Sequence, residues 1–324
     1  RDFEPGELVV REEFLLLSPP EFPPMGMFRN VPPEVSMVEV EGEGFPQIST
    51  FNNTHLKLLL EFVNADGGVQ AEALRMQHEM AEGSECARSI EKAAAWLADS
   101  ALPWLVGMDQ ATLVHLLKLF CVNAYPCKKA GSDVSGLLKW GTMINHSCRP
   151  NVFYRSVGVG GRFEGHYYAL QAIREGDVLG SSYMNHCGLI GSLVQRRRVL
   201  WCLKGFACLC PRCSEEAAAG DPARALRCVS CQAGCLLRWC FRPGSGAFGF
   251  RGDRCGGAPG REEELRELQA SAEMMFLLLN ERQRESAALL EPLRQRLAEL
   301  PECHWACQGL RLLDLSTEGR QLAG

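Results

Sequence analysis

The strongest pattern of apolar and polar positions lies between Asn53 and Tyr125, where leucines and alanines recur at helical spacing. In its clearest part Leu113, Leu116, Leu117 and Phe120 fall at i, i+3, i+4 and i+7, which puts them on one stripe of a helix facing a core. Asp109 stands where an N-terminal cap is needed, because its carboxylate can accept the first exposed backbone N–H groups. Asn123 follows the stripe and reads as a helix C-terminal residue. Upstream, Glu4-Pro5-Gly6 predicts a turn into a short β-branched strand at Leu8-Val9-Val10. Pro19, Pro20, Pro23, Pro24, Pro32 and Pro33 deny regular structure to the next stretch, which reads as a surface connection or edge.

From Gly136 to Tyr183 the pattern changes to short strands: Val152–Tyr154, His166–Leu170 and Val178–Tyr183, separated by turns such as Glu175-Gly176-Asp177. Gln195 to Leu203 reads as a short basic helix running into a cysteine cluster. Beyond Gly260 the composition turns to Glu, Arg, Leu and Ala, with Leu289, Leu293 and Leu297 at helical spacing. This predicts a separate all-helical region in which Pro301 begins the last helix.

The 324 residues allow about two domains and a sizeable core. With 46% hydrophobic and 23% charged residues the composition is that of an ordinary globular protein. A net charge of −5 argues against a nucleic-acid binder built on broad phosphate contacts, although Arg196-Arg197-Arg198 permits a local basic patch. No run of eighteen apolar residues occurs, so no membrane span is expected. The 16 cysteines change the picture most. None precedes Cys86, and several later ones stand two or three residues apart, which is metal-ligand spacing and points to a reducing compartment, cytosol or nucleus.

Met143-Ile-Asn-His-Ser-Cys-Arg-Pro-Asn151 concentrates side-chain chemistry in nine residues. About sixty residues on, Cys208, Cys210 and Cys213 offer three thiolates, whereas structural zinc takes four ligands in a closed tetrahedron. Cys148 is the candidate fourth, a long-range ligand that would staple the Asn-His-Ser-Cys turn onto the cysteine strand. Spacing alone leaves open the alternative that Cys148 is a buried small hydrophobe. Cys228, Cys231, Cys235, Cys240 and Cys255 could hold a second zinc, with five thiols competing for four places. A Cys–His hydrolase is disfavoured, since His146 and Cys148 stand two apart on an extended turn where side chains diverge.

Three ordered motifs carry a family resemblance. They are Asn145-His146-Ser147-Cys148-Arg149-Pro150-Asn151, then Arg174-Glu175-Gly176-Asp177-Val178 ending in Tyr183, then Gly205-Phe206-x-Cys208-x-Cys210-x-x-Cys213. Together they resemble the SET-domain lysine methyltransferases, and most closely the SET-and-MYND group. The resemblance is strong over Gly136–Cys213. Pro5-Gly6-Glu7-Leu8-Val9 is similar to the family's second strand, and Asn123-Ala124-Tyr125 to the Asn-x-aromatic before its SET core.

This resemblance implies an α+β fold: a mostly-β SET fold with a helical insert, a zinc-binding post-SET segment and an α-helical C-terminal region. The implied domains are an incomplete N-terminal part of the SET domain at 1–52, a helical insert at 53–125, the SET core at 126–203, a cysteine-rich zinc region at 204–259 and a truncated helical array at 260–324. The Asn-His segment and the strand ending in tyrosine would cross in a knot-like arrangement. Asn123, Asn145, His146, Tyr183 and Phe206 would bind S-adenosyl-L-methionine, with Tyr183 also the catalytic residue. Cys148, Cys208, Cys210 and Cys213 would hold zinc.

The implied activity is methyl transfer to a neutral lysine amine of a protein or histone substrate, with further protein partners on the C-terminal helices and no specific nucleic-acid partner. The departures imply an alternative, an inactive zinc scaffold for protein partners. The family's first strand with its Gly-x-Gly is expected before Arg1, and the MYND finger is missing from the expected place. Gly252 stands where a partner cysteine of Cys255 is expected, which leaves the second site, Cys228, Cys231 and Cys255, doubtful.

Overall fold

The computed structural model describes residues 1–21, 37–39, 47–49, 51–100, 102, 105, 107–129, 131–184, 186–227, 236–242 and 247–252, with positions 267, 295, 300–305, 307, 308 and 311. Helices and strands alternate in blocks, an α+β architecture as expected. The chain divides into two compact units. The first comprises Arg1–Val40, Pro46–Tyr183 and Arg198–Cys208; the second comprises Glu41–Phe45, Met184–Arg197 and Leu209–Gly324.

The first unit begins with strands β1 (Leu8–Glu13) and β2 (Leu16–Leu17), followed by a small hairpin of β3 (Met37–Glu39) and β4 (Gln47–Ser49). Four helices follow: α1 (Asn53–Asn64), α2 (Gly67–Leu74), α3 (Glu85–Asp99) and α4 (Gln110–Asn123). Each starts at a side-chain cap. Asn52, Asp66, Ser84 and Asp109 accept backbone N–H groups that the first turn leaves unpaired. The apolar stripe closes as the spacing predicts: Leu113, Leu116, Leu117 and Phe120 are all buried, against Leu56, Leu59, Ile90 and Leu97. The helical region ends at Asn123, before the expected Tyr125. Ala124 already opens strand β5 (Ala124–Lys129), because its extended backbone pairs with Leu137.

Strand β6 (Ser132–Leu137) lies between β5 and β2, and Gly136 is the point of closest approach. A Cβ there would stand 2.4 Å from the Phe14 ring and 2.7 Å from the Leu16 carbonyl oxygen. The oxygen belongs to a paired strand and cannot turn away. Gly136→Ala is therefore expected to cost about 1–3 kcal/mol, the range for overpacking, read as a lowered unfolding midpoint with an unchanged denaturant slope.

A two-residue strand β7 (Asn145–His146) precedes the hairpin of β8 (Val152–Val159) and β9 (Arg162–Ala169), and β1 completes that sheet in the order β1-β9-β8. Its inner face packs Tyr167, Val152, Ala169 and Ile144 with Leu138 and Ile173. The expected strand over Val178–Tyr183 shrinks to β10 (Gly180–Ser181), which pairs in parallel with β7. Its neighbours are held by side chains instead. Asn151 donates from Nδ2 to the Val178 carbonyl at 3.0 Å and accepts from the Gly180 N–H at 2.8 Å.

Across β1 and β9, Arg11 grips Glu164 with two parallel bonds of 2.8 and 2.9 Å. This guanidinium, with His166 beside it, holds the Glu164 carboxyl down to about 2. A carboxylate depressed in the fold contributes stability that is present above the ordinary carboxylate range, near 4.3, and lost as pH falls toward 2. Glu164→Gln is expected to flatten the fall in melting temperature between pH 5 and pH 2. An unchanged slope would contradict it.

The second unit contains helix α5 (His186–Ile190), the start of helix α6 (Leu193–Lys204), helix α7 (Pro211–Ala219), and an antiparallel sheet of β11 (Asp221–Arg227), β12 (Leu236–Arg242) and β13 (Ala247–Gly252). Two expectations are corrected here. Cys208–Cys210 is a loop entering α7, with Cys213 in the first turn of that helix, and not a strand, since Pro211 at the first helical position presets the helical φ. Arg196 does not join a surface basic patch: it is fully buried and paired with Glu216. Arg198, which belongs to the first unit, pairs within it with Glu85 at 2.6 Å. Pro301 precedes helical positions at Trp305, Cys307, Gln308 and Arg311. Cys228, Cys231, Cys235 and Cys255, and the leucine stripe Leu289, Leu293 and Leu297, lie outside the described residues.

Candidate active site

Three segments converge in the first unit. Strand β7 presents His146, the two residues after β10 lead to Tyr183, and the end of α6 leads to Phe206. Gly205 makes the last of these possible: its φ of 70° ends the helix in the left-handed region, and its carbonyl accepts the Ala81 N–H at 2.8 Å. Any other residue would be strained there, and a Cβ would also stand 2.9 Å from Met80 Cβ.

The three rings meet. Centroids are 5.3 Å apart for His146 and Tyr183, 6.2 Å for His146 and Phe206, and 6.4 Å for Tyr183 and Phe206. The Tyr183 hydroxyl donates to the Ile144 carbonyl at 2.8 Å, which fixes the phenol and turns its lone pairs away from that carbonyl. Burial pushes the Tyr183 hydroxyl above its ordinary value, so it stays protonated at neutral pH. This is the chemistry of a fixed oxygen acceptor and not of a base.

His146 has a defined tautomer. Its Nδ1 lies 3.0 Å from the Tyr183 backbone nitrogen, which can only donate, so Nδ1 carries the lone pair and Nε2 the proton. Nε2 in turn lies 3.3 Å from Cys148 Sγ. The two side chains therefore converge, contrary to the divergence expected for an extended turn, because the chain bends at Ser147-Cys148 straight after the two-residue strand. A Cys–His hydrolase is still disfavoured, now for a chemical reason. An Nε2 that carries a proton cannot take one from the thiol.

Cys148 Sγ lies 4.0 Å from Cys208 Sγ, and the sulfur atoms of Cys148, Cys208, Cys210 and Cys213 all lie within 4.8 Å of one another. Two disulfides are ruled out, since bonded sulfurs stand about 2.05 Å apart, and all four cysteines are unbonded. Four thiolates about 2.3 Å from a central ion would be spaced slightly closer than this, so a small contraction makes the set a tetrahedral site. The donor set fits a metal ion, and His146 Nε2–H is placed to stabilise one sulfur as thiolate.

Asn123 and Asn145 occupy different settings. Asn145 pairs with Gly180 through the backbone and its side chain is exposed. Asn123 is 4% exposed and donates from Nδ2 to the carbonyls of Gln77 at 2.8 Å and Leu119 at 3.0 Å. Both amide hydrogens are thereby committed, so only Oδ1 is left to bind anything further. Lys204, which sequence reasoning passed over, joins this helix end to the ring cluster. Its Nζ donates to the carbonyls of Cys121 at 2.6 Å and Val122 at 3.3 Å, and stands 5.8 Å above the Tyr183 ring. Asn151 was missed as well, and only the bent loop makes its clamp on β10 visible.

Fold and site together define a SET-type protein. The family model for the SET domain matches residues 1–184, more than half of the chain, and the chain belongs to that family. Over 76 residues it is 37% identical to a protein of Eremothecium gossypii described as histone-lysine N-methyltransferase SET5. That segment is 22% of this chain and 14% of the length of that relative. Among the described residues no helix is long and apolar enough to cross a membrane.

Proposed function

We propose that the protein is an S-adenosyl-L-methionine-dependent protein-lysine N-methyltransferase of the SET-and-MYND branch, acting on a protein or histone lysine in the nucleus or cytoplasm. The observation that carries this reading is the meeting of His146, Tyr183 and Phe206 beside the four-cysteine cluster. The family membership and the name of the Eremothecium relative support it. In this reading residues 1–52, 53–125, 126–203, 204–259 and 260–324 are the N-terminal SET part, helical insert, SET core, post-SET zinc region and C-terminal helices.

The cofactor supplies an electrophilic methyl on a sulfonium, which a neutral amine can attack without a strong base. The chain's residues align and dry the approach. Phe206 and the Tyr183 ring would wall the lysine's approach and favour its neutral over its ammonium form. The Tyr183 oxygen, anchored on Ile144, would accept weak C–H···O contacts that orient the methyl. Asn123 offers Oδ1 alone, so it suits the cofactor's ammonium group, while the exposed amide of Asn145 can both donate and accept. His146 holds the Tyr183 backbone with Nδ1 and a cysteine sulfur with Nε2, which couples the reaction site to the metal site. Cys148, Cys208, Cys210 and Cys213 would hold zinc in a structural role, closing the Asn-His-Ser-Cys turn onto the segment that carries Phe206.

Calorimetric titration of the full-length protein with S-adenosyl-L-methionine tests the cofactor assignment. Saturable binding is expected, weakened at least tenfold by His146→Ala through the loss of the Nδ1 and Nε2 contacts of that ring. No binding by the unaltered protein would overturn it.

A further inference from the structure

The arginine that the sequence offered as part of a basic patch has another use. Arg196 is among the largest fully buried side chains of the described residues. Its Nη1 donates to the Gly191 carbonyl at 2.5 Å, and its Nη2 donates to the Glu216 carboxylate and to Cys213 Sγ, the latter at 3.7 Å. Glu216 follows Cys213 by one turn of α7, and its other oxygen accepts from Arg212 Nε at 2.8 Å. Arg212 is itself anchored on the Leu189 carbonyl at 2.8 Å. One carboxylate thus aims a buried guanidinium at a cysteine sulfur.

The choice of sulfur as an acceptor is informative. A neutral thiol is a weak acceptor, whereas a thiolate is a charged one, and a guanidinium donates most strongly to a charged acceptor. A divalent ion held by four thiolates leaves the group net negative, and a fixed cation at its edge offsets that charge. We propose that Arg196, oriented by Glu216, is a positioning residue of the metal centre that fixes the Cys213 sulfur toward the ion through its N–H···S bond. The inference rests on the zinc reading of the four cysteines.

The test is zinc competition between the zinc-loaded full-length protein and a chromophoric chelator. Arg196→Met alone would remove the buried donor from one Glu216 oxygen and leave that carboxylate to Arg212, so the informative variant is the double change Arg196→Met with Glu216→Leu, which removes the buried guanidinium and its carboxylate together. If Arg196 serves only to balance Glu216, this variant keeps zinc as the unaltered protein does, and the proposal is overturned. If Arg196 sustains Cys213, zinc affinity falls about 10–100-fold, the usual cost of losing such an outer partner.

Arg196→Lys in the cobalt-substituted protein keeps the test decisive should the double variant not fold. Lysine retains the charge beside Glu216 but not the planar fork that also reaches the sulfur. Loss of an N–H···S bond raises the sulfur donor level, so the sulfur-to-cobalt charge-transfer band is expected to move to lower energy. An unmoved band with unchanged chelator competition overturns the role of Arg196 while leaving the zinc site standing. An unaltered protein that holds no zinc overturns both.

Discussion

Cys208→Ser is expected to release the metal and to unfold the Asn-His-Ser-Cys turn together with the approach to Phe206. Zinc bound by four thiolates contributes on the order of 10 kcal/mol to the arrangement it closes, comparable with the whole stability of a domain. Cys208 is the right member to remove, because it stands 4.0 Å from Cys148 across sixty residues of sequence. It also stands two residues from Phe206. Serine keeps the size of the side chain but does not replace a thiolate. Metal analysis should fall from about one equivalent to near zero, and the melting transition should broaden or drop by more than 10 °C, well beyond the few degrees of a 1 kcal/mol change. Added chelator should do the same to the unaltered protein and nothing further to the variant. A variant that keeps its zinc and its melting temperature would refute the structural role of the cluster.

The second large effect is on rate. Tyr183→Phe removes one hydroxyl and leaves the ring, so the contacts with His146 and Phe206, at 5.3 and 6.4 Å, should persist. What is lost is the bond to Ile144 at 2.8 Å and the oxygen that, in the proposed mechanism, would face the methyl. An anchoring hydrogen bond is worth about 0.5–1.5 kcal/mol and a C–H···O contact about 0.5–1 kcal/mol. Their sum corresponds to a fall in kcat of about fivefold to seventyfold, with KM for the protein substrate nearly unchanged. The pH profile should keep its shape at lower height, since burial holds this phenol above its ordinary value and it does not titrate in the working range. Loss of an alkaline limb in the variant would show instead that Tyr183 acts as a base.

Much of this site was legible before any coordinates, and the reason is local. Asn-His-Ser-Cys, the strand-end tyrosine and Cys-x-Cys-x-x-Cys are short runs whose chemistry is written in their side chains, and the helix stripe ending at Phe120 follows from period alone. What escaped depends on how the backbone bends. His146 and Cys148 meet at 3.3 Å because the strand stops after two residues, which a two-residue spacing does not announce. The clamp of Asn151 on β10 and the bridge of Lys204 to Tyr183 join residues roughly twenty to thirty positions apart, with no periodic signal. Arg196 looked like surface charge because sequence carries the charge of a side chain and not its partner, Glu216, twenty residues on.

The central claim is methyl transfer to lysine. Its most direct test is incubation of the full-length protein with methyl-labelled S-adenosyl-L-methionine and a mixture of histones and other proteins, followed by hydrolysis and separation of the amino acids. The account predicts label in methyllysine, reduced about fivefold to seventyfold by Tyr183→Phe and further by His146→Ala. Absence of labelled methyllysine with the unaltered protein, or label undiminished in both variants, would contradict it.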